Sequence, residues 1–284
     1  MKAQKATLVQ VGLAALLVCC LVAYENICLA QTASSETSPV KLDEYGDLPT
    51  DDEAARLDLF AEKLFKQSKL RGYIVAYSEP QMERGYYLRR IHGIGRYLTE
   101  ARGIEANRVV VMDGGCKDKF ATELWLVPEG ANPPTPTPTM SQPPVSISVA
   151  YKFDEECLDC APAVGLYLYG LDEGLKFYAE ALRKSPDSRG LIIVRPDENV
   201  STRRGLNEAR RARNLLARRY RIKANRIVIK ARRGRNDGTA VVEMWIVPRG
   251  AKSPTATSNN GMHPTANRAA LIENLRIITV RRGG

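Results

Sequence analysis

Histidine is scarce in this sequence, which has only two among its 284 residues, His92 and His263. Histidine is the most frequent general base and metal ligand in proteins. Neither residue belongs to a His-Glu-x-x-His motif, and the chain has no Gly-x-Ser-x-Gly motif and no P-loop. We therefore expect a protein that is not an enzyme and that needs no cofactor and no metal.

Long apolar runs are absent except for residues 8–24 near the N-terminus. Lys2 and Lys5 precede this run, and small residues at Cys28 and Ala30 resemble a signal-peptidase site before Gln31. The pattern predicts a signal peptide over residues 1–30 and export to the periplasm or cell envelope, with no transmembrane span after cleavage. An uncleaved anchor is the alternative, because the run approaches the length of a spanning helix.

Cysteine is also sparse, with only Cys116, Cys157 and Cys160 after the predicted cleavage site. An odd number leaves at least one thiol unpaired within the chain, and so few cysteines exclude a disulfide-rich scaffold. Cys157 and Cys160 are separated by two residues, which favours a local disulfide in an oxidising compartment. A redox-active thiol pair and a zinc site are the alternatives, and zinc would need two further ligands.

What the sequence does contain is an internal repeat. Three blocks recur at an offset of 118 residues and a fourth at 120. The matched ranges are 57–64 with 175–182, 71–75 with 189–193, 106–111 with 224–229, and 123–128 with 243–248. Asp43-Glu44 also recurs as Asp154-Glu155 at an offset of 111. Four ordered blocks at nearly one offset indicate two copies of one domain.

The repeats span residues 38–131 and 145–251. Residues 132–144 between them are rich in proline and threonine, which favours an extended, semi-rigid spacer. Residues 252–284 show no sustained hydrophobic period, and we predict a disordered tail there.

Each repeat is predicted to have the order β-α-β-α-β-β. Opening strands are expected at 40–42 and 147–153, and Thr50 with Glu53 matches a capping box that begins a helix. Apolar residues then recur with helical spacing in both copies, and turn residues at 113–115 and 236–238 separate the last two strands. The fold class is therefore α+β, with two tandem domains that each have a mixed sheet and two helices on one face. The apolar stripes consist of Leu57, Phe60, Ala61 and Leu64 in the first helix, Tyr87, Ile91, Ile94 and Leu98 in the second, and Leu175, Tyr178, Ala179 and Leu182 in repeat 2.

Several short landmarks resemble the OmpA-like C-terminal domain family. Each opening strand runs into an aspartate, at Leu42-Asp43 and Phe153-Asp154, and the second helix of repeat 1 ends in Tyr97-Leu98. Arg108-Val109 and Arg226-Ile227 then begin the third strand. The resemblance covers about 200 residues and implies non-covalent binding of peptidoglycan. In that family an acid after the second strand and an arginine on the following helix hold a diamino acid.

Transferred by position, the family's acid falls on Glu79 in repeat 1 and on Asp197 in repeat 2. The arginine falls on Arg90 in repeat 1. In repeat 2 it falls on Glu208, and Arg210 and Arg211 are nearby substitutes. The family's Gly-His-Thr-Asp reads Ala-Tyr-Ser-Glu at 76–79 and Val-Arg-Pro-Asp at 194–197. An arginine can fork onto a carboxylate while the acid pairs with an ammonium group.

Positive charge is concentrated in repeat 2. Residues 40–131 have 14 basic and 16 acidic side chains, whereas residues 146–251 have 21 basic and 13 acidic ones. Ten of these basic residues lie between 203 and 226, along one predicted helix and its exit. Such a face attracts polyanions, but the patch lacks interleaved aromatic residues for base stacking. Together with the predicted export, the lack of aromatic residues favours anionic envelope polymers over nucleic acid as the partner. The alternative is an ordinary solvated helix face with no specific partner.

The sequence thus predicts a non-catalytic cell-envelope protein that binds peptidoglycan or another anionic wall component. The candidate ligand residues are Glu79, Arg90, Asp197, Arg210 and Arg211. The alternative is a structural or interaction protein that retains the OmpA-like fold and has lost the ligand site. A thiol oxidoreductase that uses Cys157 and Cys160 is a more distant alternative.

Overall fold

The fold consists of two similar α+β units in tandem. The computed structural model describes residues 38–141, 148–158, 171–235 and 239–254, with the backbone alone at 171 and 172. Within these ranges the chain forms two mixed four-stranded sheets and four α-helices. The predicted α+β class and the β-α-β-α-β-β order of each unit are confirmed.

Repeat 1 forms a sheet with the strand order β1-β4-β2-β3. Its elements are β1 (Val40–Tyr45), α1 (Thr50–Lys66), β2 (Leu70–Ser78), α2 (Arg84–Arg96), β3 (Val109–Cys116) and β4 (Ala121–Pro128). Strands β2 and β3 are parallel, while β4 is antiparallel to both β1 and β2. A π-helical turn, Tyr97–Ala101, continues α2.

Repeat 2 has the same arrangement, with the strand order β5-β8-β6-β7. Its elements are β5 (Tyr151–Cys157), α3 (Leu171–Lys184), β6 (Arg189–Arg195), α4 (Thr202–Arg218), β7 (Ile227–Ala231) and β8 (Val241–Val247). Both repeats carry a bulge in the first strand, just before Asp43 and just before Asp154. In each case the aspartate accepts a hydrogen bond from the next backbone N–H, at 2.8 Å and 2.9 Å.

The apolar stripes predicted from helical spacing form the cores. All four stripe residues of α1, from Leu57 to Leu64, are buried, as are their counterparts in α3. They pack on one face of each sheet, together with residues of the second helix such as Ile94 and Leu216. Both helices therefore cover the same face, as predicted, because alternating strand residues direct one apolar row toward them.

The predicted capping box does not form. Thr50 is the first helical residue of α1, Pro49 occupies the N-cap, and no side chain caps that end. Glu53 is instead fully buried and lies with its carboxylate 3.8 Å from the guanidinium of Arg90. The prediction was wrong because a tertiary partner competes with the local backbone for this side chain.

Two other local predictions need correction. Residues 113–115 do not form the turn, because β3 continues to Cys116 and the chain reverses after it, at 117–120. The predicted turn at 236–238 lies outside the described residues. The opening strand of repeat 2 begins at Tyr151, because residues 148–150 are not strand, and residue 147 lies outside the described residues.

The proline-rich segment is not a free spacer where the structure describes it, up to residue 141. Pro134 is buried, and the N–H of Thr137 donates to the Tyr77 hydroxyl at 3.1 Å. The N–H groups of Thr139 and Met140 donate to the carbonyl of Cys116, also at 3.1 Å. The segment is thus anchored on the sheet of repeat 1, on the side opposite the helices. The predicted disordered tail is described only to residue 254.

The arginine that begins the third strand closes the first helix in both repeats. Arg226 donates to the carbonyls of Leu182, Ser185 and Ser188 at 2.8–3.1 Å. Arg108 makes the equivalent bonds to Leu64, Gln67 and Leu70 at 2.6–3.0 Å. Helix ends leave carbonyl groups without intrahelical partners, so this arginine satisfies several of them with one side chain.

The repeats contact each other through α2 on one side and β5 and α3 on the other. Arg89 donates from Nε and Nη2 to the two oxygens of Asp154 at 2.9 Å and 2.8 Å. Its Nη1 lies 3.0 Å from Glu156. Around this pair, His92 stacks on Phe177 with ring centroids 4.9 Å apart. Two further ion pairs cross the contact, Arg96 with Glu173 at 2.8 Å and Lys152 with Glu83 at 2.7 Å. We call this contact the joint.

No helix in the described part of the chain combines the length and apolar character that crossing a bilayer requires. The predicted signal peptide lies outside the described residues.

Substitution of Arg226 by methionine tests the helix-closing role. Hydrogen bonds from a charged donor each contribute about 1.5–3 kcal/mol, so Arg226→Met should lower the unfolding free energy by about 2 kcal/mol or more. Urea denaturation followed by circular dichroism measures the change. Arg218→Met, at an exposed position of α4, is the control. Equal losses in both variants would contradict the role.

The joint should weaken in mild acid because of His92. Burial, assisted by the nearby Lys176, lowers the pKa of His92 below its ordinary value of 6.5, while Glu180 opposes the shift. The neutral ring is therefore favoured in the folded state, and stability should be lost as the pH falls below 6.5. Thermal unfolding at pH 7.5 and pH 5.5 should show a drop in Tm that is smaller in His92→Phe. An identical drop in both proteins would exclude His92 as its source.

Candidate functional site

The structure places Arg90 in a buried polar cluster of repeat 1. Its side chain is 5% exposed, its Nη1 lies 2.6 Å from Asp47, and its guanidinium stacks over the ring of Phe120 at 3.9 Å. Asp47 precedes α1 and Arg90 lies on α2, so the cluster occupies the end of the sheet where both helices begin. This is the end at which α/β proteins usually bind ligands.

The cluster also contains three buried side chains with atoms that lack hydrogen bonds. In the part of the chain that the structure describes, both carboxylate oxygens of Glu53 and the hydroxyls of Tyr45 and Thr122 have no partner in hydrogen-bonding geometry. Tyr45 and Thr122 are neighbours across β1 and β4. Burial raises the pKa of Glu53, and the charge of Arg90 only partly opposes this. Burial and the Glu53 carboxylate together raise the pKa of Tyr45 well above its ordinary value.

Glu79, the predicted acid of repeat 1, directly follows β2 and is half-buried. Within the described residues its carboxylate takes part in no hydrogen bond or ion pair, although its backbone carbonyl accepts from Met82. The described partners of Arg90 are Asp47 and Glu53 instead. The structure therefore joins the predicted arginine to two carboxylates that the sequence did not predict as its partners.

Asp197, the predicted acid of repeat 2, stabilises its own turn. Its Oδ1 accepts from the N–H groups of Asn199 and Val200 at 2.9 Å and 2.5 Å. Ser201 follows as the N-cap of α4 and accepts from the N–H of Arg204. An aspartate that bonds to backbone two and three residues ahead is a common turn device, so this side chain helps to place the start of α4.

Arg210 and Arg211 both lie on the exposed side of α4. Arg210 donates to the side chain of Asn207 at 2.9 Å, and Arg211 is 63% exposed with Glu208 at 3.8 Å. The position equivalent to Arg90 is Glu208, and Val242 replaces Thr122. The buried polar cluster is therefore a property of repeat 1, and the arginines of repeat 2 belong to an open surface.

That surface is the cationic face of α4. Arg203, Arg204, Arg218 and Arg219 are exposed, and none of them forms an ion pair with any residue that the structure describes. The opposite side of the helix packs into the core of repeat 2 through small and apolar residues. The core-facing residues are Gly205, Ala209, Ala212 and Leu216. The helix is thus amphipathic, with arginine on its outer side.

The Glu-x-Trp sequence that recurs in the last strand has a structural role. Glu123 is buried and accepts from the indole of Trp125 at 2.9 Å and from the hydroxyl of Tyr77 at 3.2 Å. Glu243 accepts from Trp245 at 2.8 Å and from Arg195. Each buried carboxylate is therefore satisfied by neighbouring donors on its own sheet. Both residues lie in the repeated blocks 123–128 and 243–248, but the match between these blocks did not indicate that the carboxylates orient the tryptophans.

The cysteines fall into two environments. Cys157 is disulfide-bonded, while Cys160, its predicted partner, lies outside the described residues. Cys116 is free and buried at the end of β3, beneath the anchored proline-rich segment. Among the described residues, no group of three or more histidine, cysteine or acidic side chains could hold a metal ion.

Neither a protein-family model nor a curated protein matches this chain.

The raised pKa of Glu53 predicts a specific pH dependence. The folded state holds the proton more tightly than the unfolded state, so Glu53 should reduce stability progressively as the pH rises above 4.5. Replacement by glutamine removes this titration. Urea denaturation at pH 4 and pH 7 should show that Glu53→Gln gains stability relative to the wild type at the higher pH. A difference between the two proteins that stays constant with pH would contradict the assignment.

Proposed function

We propose that this chain is a non-catalytic, exported cell-envelope protein that binds peptidoglycan or another anionic wall polymer through the cationic face of α4. The observation that carries the proposal is a helix whose outer side holds four exposed arginines, Arg203, Arg204, Arg218 and Arg219, with no ion pair to any residue that the structure describes. Arg211 lies beside them and is 63% exposed, although it also lies 3.8 Å from Glu208. Ionic side chains that are already paired gain little from a new anion. An arginine that has no such pair retains its full electrostatic attraction for an anionic ligand.

The spacing of the arginines suits an extended ligand. Arg204, Arg211 and Arg218 are seven residues apart, which is nearly two helical turns. With a rise of about 1.5 Å per residue, they form one stripe with about 10 Å between successive members. A stripe of this length matches a polymer with repeated anionic groups better than a single small anion.

Guanidinium groups also suit the chemistry of the wall. They bind carboxylates and phosphates through two parallel hydrogen bonds, and peptidoglycan stems and wall polymers carry such groups. A surface with one sign of charge attracts such a polymer over several ångströms, and salt weakens that attraction. The predicted signal peptide and the resemblance to OmpA-like domains support the same location and ligand class.

One observation favours the alternative of a structural protein that has lost the specific site. Arg90 is already held by Asp47 and lies near Glu53, and Glu208 replaces it in repeat 2. Asp197 meanwhile bonds to its own turn. A diamino-acid clamp of the OmpA-like type would need these groups for a ligand. The proposal therefore rests on α4 and not on the clamp.

Retention on purified sacculi tests the proposed function. Each exposed ionic contact contributes about 0.5 kcal/mol, so the triple variant Arg204→Gln, Arg211→Gln, Arg218→Gln should bind roughly tenfold more weakly. The charge-matched control is Lys63→Gln, Lys69→Gln, Arg71→Gln in repeat 1, where all three side chains are exposed. Retention should also fall with added salt, and Glu79→Ala and Asp197→Ala should leave it unchanged.

The outcomes separate the two candidate functions. Loss confined to the α4 variant supports the cationic face as the binding surface. Equal loss in both triple variants would reduce the effect to net charge and contradict the assignment to α4. Absence of retention for the wild-type chain would favour the structural alternative.

A further inference from the structure

The same aspartate has a different arginine partner in each repeat. Asp43 and Asp154 occupy equivalent positions after the bulge in the first strand. In repeat 1, Asp43 accepts from Arg56 of its own α1, at 2.8 Å to each oxygen. In repeat 2, Asp154 accepts from Arg89, which belongs to the other repeat. One carboxylate is therefore satisfied within its repeat, and the other across the joint.

Residue 174 explains why Asp154 can receive Arg89. Gly174 is the counterpart of Arg56, at the repeat offset of 118. A Cβ atom added at Gly174 would lie 3.1 Å from Oδ2 of Asp154 and 3.4 Å from Cδ of Arg89. A long side chain here would therefore occupy the space that Arg89 uses. The glycine leaves the carboxylate open to the neighbouring repeat.

The donor helix has a matching requirement. A Cβ atom added at Gly85 would lie 2.4 Å from the Cβ of Asp154, which no side chain could tolerate without moving α2 away. Gly85 therefore allows the close approach that brings Arg89 to its partner. In α4, the counterparts of Gly85 and Arg89 are Arg203 and Asn207. That helix has neither the small residue nor the cation that the contact needs.

We propose that the joint is a head-to-tail contact that a chain makes within itself and cannot make with a second copy. The remaining acceptor, in repeat 1, and the remaining donor position, on α4 of repeat 2, are both unable to form it. In repeat 1, Arg56 already donates to the acceptor Asp43. In repeat 2, Arg203 and Asn207 stand where the donor helix needs a glycine and an arginine. Head-to-tail contacts propagate into chains of subunits unless something stops them. The contact therefore does not continue beyond the two described repeats, and among the described residues none packs on the outer side of α4.

The first experiment tests the acceptor within the intact mature chain. Gly174→Arg should restore the arrangement of repeat 1, so that the new arginine takes Asp154 and displaces Arg89. The repeats should then separate, with a larger radius of gyration in small-angle scattering and faster proteolysis between residues 141 and 148. Ser68→Arg, at an exposed position of repeat 1, adds the same charge away from the joint and should change neither measurement.

The second experiment tests whether the acceptor of repeat 1 and the donor position on α4, once restored by substitution, bind each other between two molecules. Arg56→Gly opens an acceptor, and Arg203→Gly with Asn207→Arg creates a donor. Arg203 and Asn207 are exposed and Arg56 is only half-buried, so the variants should fold. Sedimentation should show each variant alone as a monomer and an equimolar mixture as a 1:1 complex. Concentrations up to about 1 mM match the effective concentration that the linker supplies within one chain. Asp43→Asn in the acceptor variant should abolish the complex.

Three results would overturn the proposal. They are wild-type chains that self-associate through these faces, a folded Gly174→Arg variant with an unchanged radius of gyration, and a mixture that stays monomeric at the highest concentration. Sacculus binding by α4 is measured separately with the wild-type chain. A failure here therefore leaves the proposed function standing, and the reverse also holds.

Discussion

The ion pair between Arg89 and Asp154 determines how the two repeats are arranged. Asp154 is completely buried and Arg89 is 8% exposed. Burial raises the pKa of Asp154, and two N–H donors from Arg89 oppose that shift. A buried charge that loses its partner typically costs about 3–5 kcal/mol. Any movement of α2 away from β5 would leave this carboxylate without its cation. The ion pair therefore favours one arrangement of the two repeats.

The two repeats keep the same fold although some of their interior contacts differ. Tyr87 packs over Ala76 and donates to its carbonyl at 2.7 Å. At the same two positions repeat 2 has Gly205 and Val194, where a Cβ on the glycine would lie 2.3 Å from the valine. A large helix residue over a small strand residue has been exchanged for the reverse, a glycine over a larger strand residue, so the helix still contacts the strand at this point. The helix-closing arginine is retained in both copies, because its partners are backbone carbonyls that every sequence supplies.

The sequence predicted the fold well where burial follows a period, as in the stripe from Leu57 to Leu64. It did not predict the side-chain partners in the candidate site, because a landmark assigns a residue to an element without saying which neighbour it meets. Glu53 shows the reason. Its spacing from Thr50 indicated a local cap, whereas Arg90, distant in sequence, draws the carboxylate inward. Likewise, the composition of residues 132–144 predicted extended backbone, but the Tyr77 hydroxyl that anchors Thr137 lies on the sheet.

The joint sharpens the charge asymmetry that the sequence already contains. It pairs Arg89 and Arg96 of the first repeat with Asp154, Glu156 and Glu173 of the second, and Glu83 of the first with Lys152 of the second. Repeat 1, with a small acidic excess, thereby commits two cations against one carboxylate, and repeat 2, with a large basic excess, commits three carboxylates against one cation. In the assembled chain, the difference in charge between the two repeats is therefore larger than their separate sequences indicate. A polyanion approaching it meets a field that directs it to the end carrying α4, so the contact that fixes the architecture also strengthens the surface proposed to bind.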